Sequence, residues 1–144
     1  MLNIFTLQSG IAEDIVDTVK SDTNFSLFNI VYNQACSFDE SNVPAIQIYV
    51  SDNNNNSDES ERTEMHSRLF TLVFRVYLPE TSTDTLETIS DSIFNIVFDK
   101  YKTQRITARI GNPSYKRLFE DTNSVLVADL EIPIFYTTKQ SWKE

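Results

Sequence analysis

The only histidine and the only cysteine of this 144-residue chain are its most obvious candidates for nucleophilic or metal chemistry. A Ser–His or Cys–His catalytic pair needs a nucleophile in a defined setting, such as a strand–turn–helix elbow, and no serine or cysteine has one here. A zinc site needs clustered Cys and His ligands, which one residue of each type does not supply. We interpret His66 as an exposed residue at a strand start and Cys36 as a partly buried bystander. The alternatives are a catalytic histidine and a reactive thiol.

Acidic residues are numerous, at 21, but they form no recognisable site. The segment 52–64 has no apolar residue, so it cannot bury enough surface to offset its ordering entropy, and it predicts a flexible acidic hairpin loop. It lacks the glycine and the regular acid spacing of an EF-hand, which leaves weak cation binding as the alternative. Three acids of this loop are candidate contact residues: Asp58, Glu59 and Glu61.

Basic residues are concentrated towards the C-terminal half. This basic segment comprises Lys100, Lys102, Arg105, Arg109, Lys116 and Arg117. Three interpretations are open: a head-to-tail contact with the acidic surface of a second copy, a contact with DNA phosphates, or charges scattered over a solvated surface. The net charge of −9 disfavours nonspecific binding to nucleic acid.

Composition limits the classes of protein further. With only two glycines, the chain has no glycine-rich phosphate loop. No apolar run approaches the roughly 18 residues of a membrane span, and the first nine residues do not resemble a signal peptide, so we expect a soluble intracellular protein. The length fits a single domain over residues 1–144 with a polar tail at 139–144, in which Trp142 is the one large apolar residue.

Hydrophobic periodicity predicts the elements that carry these side chains. Apolar residues at helical spacing predict a first helix from about Ser9 to Lys20. Alternating residues predict strands over 28–33, 43–50, 69–78, 105–110 and 124–138, with a turn at 111–113 and an edge, bulge or strand end at Pro133. Asp129 and Glu131 alternate on the outer face of the last strand. We expect them to face solvent, and the alternative is an intersubunit salt bridge.

The second helix is predicted from Thr83 to Tyr101, with Asp84 and Glu87 resembling a capping box. Its core stripe widens through Phe94 and Phe98, which either complete the core or face a neighbouring subunit. The order of elements predicts an α+β fold, with an antiparallel or mixed sheet of about four to five strands and two helices packed on one face.

The order and patterning of these elements resemble the tail terminator (tail completion, or head–tail joining) proteins of long-tailed bacteriophages. The resemblance starts with the helix Ile11-x-x-x-Ile15-Val16-x-x-Val19 and the strand Val43-Pro44-Ala45-Ile46-Gln47-Ile48. It continues through the charged hairpin, the strand 70–78, the helix 86–101 and the closing strand 125–136. It spans almost the whole chain as pattern and order, without a diagnostic motif.

The resemblance implies a structural virion protein with no catalytic residue, cofactor or metal. Such a subunit forms a ring with itself, usually a hexamer, on the head-proximal end of the tail tube after assembly in the host cytoplasm. The ring ends tube polymerisation and offers a surface to the head connector, while DNA only passes through the lumen and no membrane is involved. Another connector or tube-associated component, or a small ligand-binding domain or enzyme, remains an alternative. The candidate interface residues are Arg105, Arg109, Lys116, Arg117, Asp58, Glu59, Glu61, Phe94, Phe98 and Trp142.

Overall fold

The computed structural model describes residues 4–34, 38, 42–51, 65–81, 85–102, 108–118 and 125–139. Two helices pack against a six-stranded mixed sheet, which confirms the predicted α+β class with one strand more than expected. The elements are α1 (Ile4–Ser21), a 3₁₀ turn (Thr23–Phe25), β1 (Asn29–Tyr32), β2 (Ala45–Val50), β3 (Met65–Pro79), α2 (Leu86–Tyr101), β4 (Arg109–Ile110), β5 (Ser114–Leu118) and β6 (Val125–Lys139).

The sheet is built around two long strands, β3 and β6, which pair antiparallel along their full lengths from Met65↔Lys139 to Pro79↔Val125. The strand order is β1-β2-β3-β6-β4. β5 also pairs with β6, along the same edge as β4. Only the β1–β2 pairing is parallel. The sheet is therefore bounded by β1 on one side and by β4 and β5 on the other.

Alternation along the strands determines the core, because residues two apart point to the same face of a sheet. The even-numbered residues from Phe70 to Leu78 in β3 and from Ala128 to Tyr136 in β6 face both helices and form one buried cluster with the apolar stripes of α1 and α2. The sheet contributes Ile46, Ile48, Phe70, Leu72, Phe74, Val76, Leu78, Ala128, Leu130, Ile132, Ile134 and Tyr136 to this cluster.

The opposite face of the sheet, which we call the open face, is partly covered. Val73 is only 1% exposed, and a small cluster forms around Tyr77 and Val127. The ring of Phe38 packs 4.9 Å from that of Tyr77, measured between centroids.

Both helix starts differ from the predictions. The first helix begins at Ile4 rather than near Ser9. The second begins at Leu86 with Thr85 as its N-cap, whose side chain accepts a hydrogen bond from the Thr88 backbone N–H at 3.1 Å. The predicted cap by Asp84 was wrong, because Thr85 supplies the oxygen that satisfies a free N–H of the first turn.

A β-bulge joins β4 to β5, where a turn was predicted at 111–113. Ile110 pairs with Ile134 and Ser114 with Glu131, so three residues on the edge oppose two on β6. The chain keeps its direction through the bulge, and the turn prediction was wrong. We call the continuous segment 109–118 the edge strand.

Pro133 lies inside β6 opposite this bulge. Its carbonyl accepts the Gly111 N–H at 2.8 Å, so the side of Pro133 that lacks an N–H donor faces the interruption between β4 and β5. This is the bulge setting that was one of the alternatives predicted for a proline in a strand.

Candidate interaction surface

The bulge determines which basic side chains of the edge strand share a face. Arg109 pairs with Phe135 and Lys116 with Asp129, and both partners lie on the open face of β6. In a regular strand, residues seven apart would lie on opposite faces, and the extra residue of the bulge brings Arg109 and Lys116 to the same one. Arg117 pairs with Ala128 and therefore lies on the helix side.

The basic segment is thus divided rather than gathered into one patch. Lys100 binds Asp14 of α1 at 3.2 Å, and Lys102 lies 3.6 Å from Asp99 within its own helix. Arg109 is exposed and holds its guanidinium 5.1 Å from the centroid of the Phe135 ring, a cation–π contact. Lys116 and Arg117, also exposed, complete the positive charge of this edge.

An aromatic surface lies between α2 and the edge strand. Phe94 and Phe98 stack with ring centroids 5.8 Å apart. Phe94 packs against the core, which is the first of the two alternatives weighed for this pair, whereas Phe98 is 43% exposed. Tyr115 of β5, 39% exposed, reaches the same side of the sheet. Partial burial raises the pKa of Tyr115, and the neighbouring Glu87 raises it further.

Two small depressions mark this aromatic surface, which we call the edge groove. Their volumes are about 280 and about 150 Å³, at or below the lower end of the range for ligand pockets. Their lining combines aromatic side chains with charged ones of both signs, among them Lys102, Arg109, Glu87 and Asp91, a composition suited to a protein contact. The principal residues are Phe94, Phe98, Tyr101, Lys102, Arg109, Ile110 and Tyr115.

An acidic side chain lies beside the opposite edge of the sheet. Glu13 and Asp17 are exposed one turn apart on α1. Glu13 lies near Tyr32 of β1, and burial together with this carboxylate raises the pKa of the tyrosine hydroxyl. Asp14, on the neighbouring face of α1, instead accepts a hydrogen bond from Tyr101 and pairs with Lys100. The acids of α1 therefore have different roles: Asp14 joins the two helices, and Glu13 lies beside the β1 edge.

A charged pair crosses the middle of the open face. The Arg75 guanidinium donates to both carboxylate oxygens of Asp129, with Nε–Oδ1 at 2.7 Å and Nη2–Oδ2 at 3.0 Å. Asp129 is 6% exposed, so neither solvent exposure nor the intersubunit salt bridge weighed for it is correct. Hydrogen bonding to Asp129 raises the pKa of Arg75 above its usual value. The pair was missed although each residue is a charge within a mostly apolar strand, which was the available signal.

Several candidates lie outside the described residues, namely Cys36, Asp58, Glu59, Glu61, Arg105 and Trp142. His66 stands at the second position of β3, where its backbone is opposite Thr138, in agreement with the predicted strand start.

Within the described part of the chain, no three His, Cys, Asp or Glu residues are grouped so that they could hold a metal ion. No helix among these residues is long and apolar enough to cross a membrane. The sequence matches no protein-family model, and a search of curated proteins finds none that is similar.

Proposed function

We propose that this protein is a structural subunit that assembles head to tail with copies of itself, as a tail terminator does in a long-tailed bacteriophage. In this role the subunits form a ring on the head-proximal end of the tail tube, end tube polymerisation and offer a surface to the head connector. Its place would be the virion tail, reached from the host cytoplasm during assembly.

The observation that carries the proposal is the charge difference between the two edges of one sheet. Arg109, Lys116 and Arg117 lie at one edge, and Glu13 lies beside the other. Complementary patches at opposite ends of a subunit favour a heterologous contact, which repeats from copy to copy and closes into a ring when the rotation allows. A symmetric dimer would instead bring like charges together.

The edge groove supports the same proposal. Phe98 and Tyr115 expose aromatic surface beside the basic side chains, and exposed aromatic groups near Arg are typical of the centre of a protein interface. A second head–tail or tube-associated component would use the same surfaces, and it differs from a terminator in what it binds.

Light scattering of the purified protein, alone and with purified tail tubes, tests the proposal. We expect either a ring of about six copies in solution or a complex at one tube end, visible by electron microscopy, with tubes that no longer elongate. A stable monomer that leaves the tubes unbound and still growing would overturn it. Binding along the tube wall, without an effect on growth, would favour the alternative component.

Charge reversal makes this test specific. Arg109→Glu with Arg117→Glu should weaken assembly at low salt and reduce its salt dependence, because the attraction between charged edges is screened by ions. Arg109→Lys with Arg117→Lys is the matched control, since it changes the same two exposed side chains and keeps their charge. Equal loss of assembly in both variants would contradict a contact through the basic edge.

A further inference from the structure

β1 and β5 lie at opposite edges of the sheet, and their residues are level with one another across it. Following the pairings across the sheet, Tyr32 lies level with Ile48, Phe74, Leu130 and Tyr115. By the same route Asn29, three residues before Tyr32, lies level with Leu118, three residues after Tyr115. The four residues of β1 therefore lie level with the last four of β5, although the two strands lie at opposite edges of the sheet.

The directions of the two strands are also complementary. β1 runs parallel to β2, and three antiparallel pairings separate β2 from β5, so β5 runs opposite to β1. If a second copy is placed beside the first with its sheet continuing the same plane, its β5 meets β1 as an antiparallel neighbour.

The free backbone groups of the two edges fall at the same rows. At the two ends of β1, the N–H groups of Asn29 and Asn33 donate to the carbonyls of Pro44 and Ile48 on the β2 side. Because the direction alternates along a strand, the backbone groups of Ile30 and Tyr32 point outwards. On β6, the Pro133 carbonyl points to the edge strand, and by the same period Val127, Asp129 and Glu131 also do so.

Their partners on β5 therefore bond inwards to β6, which leaves the N–H and C=O groups of Tyr115 and Arg117 pointing outwards. When β5 of one copy meets β1 of another at these rows, Ile30 stands opposite Arg117 and Tyr32 opposite Tyr115. Each is a pair in which both residues present their hydrogen-bonding groups to the other. Among the described residues, neither edge has a further strand partner.

The side chains of β1 and β5 are also compatible with this antiparallel pairing. Arg117 and Tyr115 lie on the helix side of β5, which would place them beside Tyr32 and the nearby Glu13 of the next copy. Lys116 and Arg117 also disfavour pairing of β5 with a second β5, because like charges would meet. The basic edge of one copy therefore repels the basic edge of another and favours the β1 edge, beside which Glu13 lies.

We propose that β1 of one copy pairs antiparallel with β5 of the next, with Ile30 opposite Arg117 and Tyr32 opposite Tyr115, so that one sheet continues through both subunits. The use of this contact in a ring rests on the proposed function, whereas the contact itself is tested without tail tubes. The edge groove then lies directly beside the junction, where α1 of the next copy can cover it.

A disulfide trap tests the register. On the open face Val31 stands opposite Lys116, so Val31→Cys with Lys116→Cys in a Cys36→Ser background should link neighbouring copies. Within one chain the two positions are four strand spacings apart, roughly 19 Å, which is too far for a disulfide. We expect oxidation of the concentrated protein to give a ladder of dimers, trimers and larger species on a non-reducing gel.

Val31→Cys with Arg117→Cys is the matched control, because these side chains lie on opposite faces of the joined sheet. A ladder that is absent, stops at the dimer or is equally strong in the control would overturn the proposal. Thermal melts of the reduced variants check that each is folded. If the ladder forms but the protein neither binds nor caps tail tubes, the contact stands and the tail terminator function fails.

A second variant tests the backbone directly. Because the Arg117 N–H points outwards, Arg117→Pro in the trapping background removes a hydrogen bond between copies without removing one to β6. Arg117→Ala removes the same charge and keeps the N–H. We expect the proline variant to form the ladder about tenfold more slowly than the alanine variant, an effect of the size of one backbone hydrogen bond. Equal rates would contradict pairing of the strands.

Discussion

The Arg75 side chain on β3 holds the carboxylate of Asp129 on β6 through two parallel hydrogen bonds, of 2.7 and 3.0 Å, between directly opposed residues. The two side chains are unequally exposed, at 31% for Arg75 and 9% for Asp129. The consequences of removing each partner should therefore differ, since a buried charge that loses its partner cannot recover its hydration.

We predict that Arg75→Met lowers the free energy of unfolding by about 3 kcal/mol, because it leaves a buried carboxylate without its cation. Asp129→Asn should cost less, about 1–2 kcal/mol, because the guanidinium that remains can reach water. Urea unfolding of both variants measures the difference. Glu131→Gln, on the same face of β6 but half-buried, is the control and should stay within about 0.5 kcal/mol of the parent. A larger loss for Asp129→Asn than for Arg75→Met would refute this account.

We predict that a side chain at position 111 destabilises the protein. A Cβ there would lie 2.8 Å from Phe135 Cε2 and 3.0 Å from Pro133 Cγ. Gly111→Ala should therefore destabilise the protein by about 1–3 kcal/mol through overpacking. Gly10→Ala is the matched control within α1, where a Cβ meets nothing within 4 Å, and it should raise stability by about 0.5–1 kcal/mol. Thermal unfolding of the two variants decides the matter, and shifts of the same sign would contradict the close contact at the bulge.

We predict that the protein loses stability at alkaline pH because of Tyr101. Burial, the charge of Asp14 and the 3.1 Å hydrogen bond to that residue raise the pKa of the Tyr101 hydroxyl above its usual 10.0. The unfolded chain therefore loses this proton first, and the contribution of Tyr101 to stability, complete below about pH 10, should fall as the pH rises above that value. Tyr101→Phe should be about 1 kcal/mol less stable at pH 7, since it loses the hydrogen bond.

The difference between Tyr101→Phe and the parent should shrink above pH 10, because phenylalanine does not ionise. Urea unfolding at several pH values between 7 and 11 measures it. Other tyrosines with raised pKa values, such as Tyr32 and Tyr49, are present in both proteins and cancel in the comparison. A constant difference across this range would show that the Tyr101 proton is not linked to folding.

A substitution at Ile93 should affect mainly folding, and one at Phe98 mainly assembly. Ile93 is fully buried, so Ile93→Ala should cost about 2–5 kcal/mol of stability. Phe98→Ser changes a side chain that is 43% exposed, so we expect a loss of no more than about 1.5 kcal/mol together with weaker association of the subunits. Denaturant unfolding and light scattering of each variant provide the two measurements. Association that is unchanged by Phe98→Ser would exclude Phe98 from the contact.

Most of the secondary structure followed from local patterns. The alternation of β3 and β6 and the helical stripe of α2 are long and regular, and burial of one face stabilises them whatever their neighbours are. β5 escaped prediction because Ser114-Tyr115-Lys116-Arg117-Leu118 is an edge strand whose side chains are almost all exposed, so no apolar alternation marks it. The parallel pairing of β1 with β2 was equally invisible, because pairing is a contact between distant segments.

The sequence by itself determined that the protein has a two-helix α+β core, because the periodicity of apolar residues specifies which face of each element must be buried. It also placed the basic segment and the aromatic pair of α2. Only the tertiary structure decided how they combine. The bulge opposite Pro133 puts Lys116 with Arg109 and turns Arg117 to the helix side, a choice of face that changes with one extra residue. Asp129 is buried because Arg75, 54 residues earlier, arrives beside it when the two long strands pair.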